Sequence, residues 1–406
     1  MPTSLPQQTP RIAWLEGLRG LAAVQVLLLH LAGAFWLPLV EGAARSPLYL
    51  LYDGETAVHL FFLLSGAVLT LGFAKQWRTP MAALAARGLR LGLPAAAATL
   101  LAVLAFHAFG NAHAPAGTLL GSWWLRENWL ADGSLGSLLW QAGPVAVLLG
   151  FADSTTLAFL APWLPAGPAA YNAPLWTLSL EVQGSVLVLA LVGLRAAAPR
   201  LWPLALAALG LLTLRSPLLG FVLGHAAMVL LPRCTPAWAA LPGAARHALG
   251  LAALLAGAAL ALPATPLPGF EALAEAPLPL LPALSGQAIQ RGLAALLQLA
   301  GLLALPAPQR WLAGAPMQAL GRLSFPIYLV HWPLLMGPGA AFALALAPWL
   351  GTTAAALAGA TLAAGLSLAL AVLALPLDAA AVRLARRARL ALIAPPGPPE
   401  AQHAPL

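Results

Sequence analysis

Residues 14–31 read Trp14-Leu-Glu-Gly-Leu-Arg-Gly-Leu-Ala-Ala-Val-Gln-Val-Leu-Leu-Leu-His-Leu31, an apolar run that nonetheless carries Glu16, Arg19 and His30. Ionisable groups inside a membrane-length segment cost roughly 2.5–3.5 kcal/mol each at its centre unless they find partners, so their presence points to function. Arg19 and His30 are also in phase. Eleven residues turn a helix through about three full turns and lift it about 16 Å, so one face presents a cation near one end and an imidazole far inside. Such a helix can hold an anionic cofactor by its phosphates while the imidazole meets the cofactor's reactive end.

The rest of the chain shares that apolar character. Hydrophobic residues make up 61% of the 406 and charged residues 8%, with a mean hydropathy of +0.85, a balance that excludes a water-soluble domain of this size. The fold class read from this is all-α, a polytopic membrane bundle of about ten transmembrane helices. A net charge of +8 does not point to nucleic acid, because the basic residues are scattered between apolar segments instead of forming a patch. They report topology instead, since basic residues collect on cytoplasmic loops. The lone Cys234 can form no intramolecular disulfide and has no companion for a thiolate metal site, so no metal is expected. The first apolar run shows no cleavable signal and is read as helix 1.

In chain order, helix 1 (about 14–37) is followed by helix 2 (about 57–74) and the densest basic loop, with Lys75, Arg78, Arg87 and Arg90. Helix 3 (about 91–109) leads to a long segment containing Trp123, Trp124, Trp129 and Trp140. The run 138–161 is apolar but interrupted by Gly143-Pro144 and Asp153; basic-loop positions favour its lying outside or re-entering over its crossing. Helices 4 to 10 are expected near 174–194, 201–214, 216–231, 247–263, 287–306, 324–347 and 352–376, with helix 5 short for a hydrocarbon core of about 30 Å. This arrangement puts both termini in the cytoplasm. The divisions are an N-terminal cytoplasmic tail (1–11), a membrane domain (12–390) and a Pro-rich disordered tail (391–406).

Polar landmarks converge on this topology. Arg19 lies close in depth to Arg87 and Arg90, which share a helical face; guanidinium forks bind phosphate bidentately. His30 and Glu181 fall at one expected depth, where an acid and an imidazole can share a proton. Ser65-Gly66 suits close helix packing, His331 suits a histidine bonded to a backbone carbonyl, and the outer tryptophans suit a roof over the site or interfacial anchors. An ion-coupled transporter or flippase, or a haem protein with His30 and His331 as axial ligands, uses the same residues and stays open here.

Four motifs, in order, carry a resemblance to the acyltransferase 3 family of integral-membrane bacterial O-acyltransferases. They are Arg19 with His30 eleven residues on, within Leu15-Glu-Gly-Leu-Arg-Gly-Leu-Ala22 and its continuation; Leu60-Phe-Phe-Leu-Leu-Ser-Gly66; Pro174-Leu-Trp-Thr-Leu-Ser-Leu-Glu181; and Leu320-Gly-Arg-Leu-Ser-Phe-Pro-Ile-Tyr-Leu-Val-His-Trp-Pro333. The resemblance implies a ten-helix core in a bacterial inner membrane. It also implies a cytoplasmic acyl-CoA donor, acetyl-CoA above all, and transfer to a hydroxyl of a glycan, glycolipid or other acceptor at the outer side. It places the catalytic histidine on His30, its paired arginine on Arg19 and the donor-binding cations on Arg87 and Arg90. Glu181 is expected as the acid partner of His30, with Glu16, Ser65, Trp176 and His331 supporting them. Two departures stand out: His59 replaces an acidic residue common in the family, and Val182-Gln-Gly-Ser185 follows Glu181.

Overall fold

The computed structural model describes residues 10–36, 46–156, 158–262, 266–276 and 285–393. Most of both expected tails and the loop with Glu41 and Arg45 lie outside these. Every expected apolar run forms a helix: α1 Pro10–Phe35, α2 Gly54–Phe73, α3 Pro80–Phe109, α4 Trp176–Ala197, α5 Trp202–Leu212, α6 Leu218–Ala240, α7 Gly243–Ala261, α8 Gly286–Ala304, α9 Ala315–Leu350 and α10 Thr352–Ile393. Among the described residues, eight helices are long and apolar enough to span a membrane. A ninth joins them if α8 and Pro306–Leu312, bent by 98°, form one span.

Two boundaries differ most from expectation. α3 starts at Pro80, which takes the N1 position where its missing N–H costs nothing, so Arg87 and Arg90 are helical and not in a loop. α10 runs through Pro376 to Ile393, because its Ala, Leu and Arg content favours helix well past the apolar part.

Side-chain contacts give each helix its direction. α1 and α9 run parallel: Gly17 abuts Met317, Gly20 abuts Gly321, and His30 meets His331. α2 opposes α1, with Gly54 against Leu29 and Val26. α2, α4 and α6 run together, through Phe62 with Trp176, Ser65 with Glu181 and Gly66 with Phe221. α3 follows α9, since Arg87 meets Glu181 while Ala105 and Phe109 approach Gly337. α8 starts beside the start of α2, through Arg291 and Asp53, and α10 starts beside Phe35, through Gly359.

Ten legs therefore alternate, and α5, only eleven residues or about 16 Å long, makes the return from α4 to α6. Its anchor is a closed polar chain. Trp202 Nε1 donates to His225 Nε2 at 3.0 Å, which leaves Nδ1 to carry the proton toward Thr70 Oγ1 at 2.9 Å.

Because α3 ends and α4 begins at the His30 end, residues 110–172 make no net crossing. They re-enter instead. The π-helical turn Gln141–Leu149 reaches Gly92, halfway along α3, where a Cβ would lie 3.8 Å from Val147. Gly150 then turns the chain back with φ +80°, a left-handed conformation that a side chain would strain, against Ser179. Lys75, Arg78, Arg195, Arg200, Arg246 and Arg322 all fall at the opposite end of the bundle.

Cysteine variants Ser134→Cys and Ser154→Cys, in a Cys234→Ser background, test the re-entrant limb. An impermeant thiol reagent should label both from the same face of sealed vesicles. Labelling from opposite faces would mean that residues 135–153 cross.

Candidate active site

One elongated cavity of about 460 Å³ runs through the bundle. α1 lines it with Arg19, Ala23, Val26 and His30, spaced so that a 3.6-residue turn keeps all four on one stripe. Ser324, Tyr328 and His331 form the matching stripe on α9, and Phe62, Ser65, Arg87, Arg90, Trp176 and Glu181 come from α2, α3 and α4. The cation and imidazole read from the first helix thus share one space, at opposite ends of it.

At one end His30 Nδ1 lies 2.9 Å from His331 Nε2, with the ring planes within 13° of parallel. His331 Nδ1 faces two backbone carbonyls, Tyr328 at 2.9 Å and Ile327 at 3.0 Å. Carbonyls only accept, so Nδ1 of His331 carries the proton and its Nε2 offers a lone pair. His30 Nδ1 must then donate, and His30 Nε2 is left as a base. The carbonyl-bonded histidine expected at 331 is present, and it sets the tautomer of its neighbour. Trp124 stacks on His30 (5.7 Å, 27°) and Trp332 meets it edge-on. Of the outer tryptophans, Trp124 therefore roofs the imidazole, Trp129 is fully buried and Trp123 is exposed. The imidazoles bond each other directly, where the axial-ligand reading would place iron between them.

The other end corrects a pairing. Glu181 is not beside His30: its Oε1 accepts from Ser65 Oγ at 2.7 Å and its Oε2 from Arg87 Nη2 at 2.5 Å. Asn172 Nδ2 bonds the carbonyl of Leu329, near the level of His331. Its partner Ser65 lies eleven residues along α2 from Gly54, which abuts Leu29 beside His30, so Glu181 lies about 16 Å deeper. Counting residues from the start of the apolar run missed this because residues 172–175 enter the helix already inside the bundle. The Glu181–Arg87 pair is largely buried, with side chains 14% and 17% exposed, and Arg87 Nε also donates to Ser185. Arg19 holds Glu16 loosely at 3.3 Å, and Arg90 is exposed at the cavity mouth.

The acyltransferase-domain profile of the acyltransferase 3 family matches residues 12–373. The chain belongs to that family. None of the curated proteins or solved structures compared with it matches. Family membership makes this a membrane acyltransferase, and it assigns the four motifs quoted above to a single domain whose cavity they line.

Sequence reasoning passed over a second ionic cluster in this acyltransferase. Arg291, 3% exposed near the start of α8, pairs with Asp53 at 3.7 Å and with Glu55, hydrogen-bonds the Tyr49 hydroxyl and lies over that ring. Burial, then the neighbouring carboxylates, pushes the Tyr49 phenol up, keeping it neutral. The signal was the one that singled out Arg19, a lone cation inside an apolar run. Tyr328, whose hydroxyl donates to Pro174 O at 2.5 Å, was equally legible three residues before His331.

The Glu181–Arg87 pair predicts strong coupling. Glu181→Ala or Arg87→Ala alone should destabilise by about 3–5 kcal/mol, each leaving a buried charge unpaired. The double variant should recover more than about 1 kcal/mol of the summed loss, read from unfolding in detergent. Additive losses would show that the pair is not coupled.

Proposed function

We propose that the protein moves a short acyl group, acetyl in the first instance, from acyl-CoA at the cytoplasmic face to a hydroxyl of a sugar-containing acceptor at the outer face. The positive-inside rule supports this orientation, since the basic residues gather at the end of the bundle opposite His30. The observation that carries the reading is the cavity, which joins Arg19 and Arg90 to the His30–His331 pair. Its volume of about 460 Å³ suits a thin acyl-pantetheine arm and not a whole nucleotide. The phosphates then sit at the mouth on Arg19 and Arg90, with Arg87 behind them held in place by Glu181.

The chemistry follows from the tautomer. His30 Nε2 takes the proton of the acceptor hydroxyl as its oxygen attacks the thioester carbonyl. The tetrahedral intermediate collapses, the carbon–sulfur bond breaks, and the CoA thiolate takes the proton back from the imidazolium. His331 acts by position: its Nε2 accepts from His30 Nδ1, fixing the ring and strengthening as His30 becomes charged. Glu181 supports the donor end and takes no part at the histidines. The transporter reading has no use for an arm-shaped cavity ending on an imidazole base.

His30→Ala should lower acceptor-dependent CoA release by about 10²-fold or more while the protein stays folded. His331→Ala should lower kcat less and shift its pH profile, whereas His331→Gln, which can still accept from His30, should restore part of the rate. Full activity of His30→Ala would overturn the assignment. At the mouth, Arg19→Ala and Arg90→Ala should each raise KM for acetyl-CoA about tenfold, the loss of one charge-assisted contact, with acceptor KM unchanged.

A further inference from the structure

A second cavity of about 420 Å³ adjoins the first. The two share Trp176 and Pro217 in their walls, so the indole of Trp176, met edge-on by Phe62 at 6.4 Å, is a partition between them. The character of the second cavity is different. Its wall carries Asn128, Asp153, Ser154, Thr156 and Ser216, mostly from the segment around the re-entrant limb, and no described lysine, arginine or histidine lines it.

These groups have bonding capacity left. Asp153 Oδ1 accepts from Gly167 N at 3.1 Å, and Gly167 leaves Oδ2 uncovered, since a Cβ there would sit 2.6 Å from that oxygen. Asn128 donates its amide to Trp124 O at 2.8 Å, leaving its carbonyl oxygen to accept. Among the described residues, Ser154 Oγ makes only long contacts, 3.3 and 3.4 Å, to the Phe151 backbone. A carboxylate, a carboxamide and hydroxyls around one aromatic wall match an array of ligand hydroxyls with an apolar ring face. The lone carboxylate and lack of cations repel phosphate, which excludes an anionic headgroup.

We propose that this second cavity binds the sugar ring of the acceptor as an uncharged hexopyranose, with Trp176 as the platform past which its hydroxyl reaches the cavity lined by His30. The assignment rests on the acyl-transfer reading for its purpose and on the cavity lining for its chemistry. Two consecutive residues just before the partition fit both roles: Ala173 lines the second cavity and Pro174 the first, so the chain entering α4 borders both.

The test uses the full chain in lipid nanodiscs with Ser154→Cys in a Cys234→Ser background, and follows labelling by a water-soluble maleimide. The probes are octyl β-D-glucoside and octyl β-D-galactoside, with octanol, glycerol and inorganic phosphate as controls. At least one hexoside should slow labelling about tenfold at ten times its Kd, the controls should not, and the protection should disappear in Trp176→Ala and persist in Trp176→Phe. Protection by neither hexoside, equal protection by octanol or phosphate, or protection that survives Trp176→Ala would overturn the proposal. Labelling needs no donor, so CoA release from acetyl-CoA in the same nanodiscs reports separately on the acyl-transfer reading: hexoside protection without turnover would leave the sugar site standing and remove the reaction.

Discussion

Close backbone contact between α1 and α9 is the constraint on which the cavity depends. A Cβ at Gly17 would fall 3.0 Å from Met317 Cβ, one at Gly20 2.6 Å from Gly321 N, and one at Gly321 2.4 Å from the Glu16 carbonyl oxygen. Lipid supplies no hydrophobic force between helices, so such small-residue contacts and the hydrogen bonds they permit hold a bundle together. Here they lock two parallel helices in register. That register carries His30 to His331 at 2.9 Å and leaves Arg19 facing the same space about three turns below.

Polar groups inside the bundle answer the cost of their burial in two ways. Near the arginine end, Glu181, Arg87, Ser65 and Ser185 satisfy one another, so charge is balanced before any ligand arrives. At the histidine end the groups are neutral: two imidazoles, fixed in one tautomer by backbone carbonyls and covered by Trp124. A neutral base is the cheaper group to keep in an apolar wall, and it is also the form that can take a proton. Electrostatic economy and chemistry therefore ask for the same arrangement.

Much of this was legible in the sequence. Hydropathy located the ten legs of the bundle, basic-residue positions supplied the alternation, and the in-phase Arg19 and His30 marked the cavity stripe. What failed was pairing across helices. Glu181 was matched to His30 by depth alone, yet its partners Ser65 and Arg87 come from two other helices whose rotation and offset no linear count contains. Arg87 and Arg90 looked like loop residues because charge was weighed above the helix start that Pro80 permits. Arg291 was hidden for a related reason: its partners Asp53, Glu55 and Tyr49 lie more than two hundred residues away, and a lone arginine beside a run of leucines and alanines reads as the edge of a span.

In the proposed reaction, one cavity connects a donor at the arginine end with an acceptor at the histidine end. Sealed vesicles of known orientation, with radiolabelled acetyl-CoA supplied on one face only, test it most directly. Label should appear on acceptor exposed at the opposite face, and only when the donor is supplied at the face bearing Arg19 and Arg90. Labelled acceptor on the same face as the donor would contradict the account.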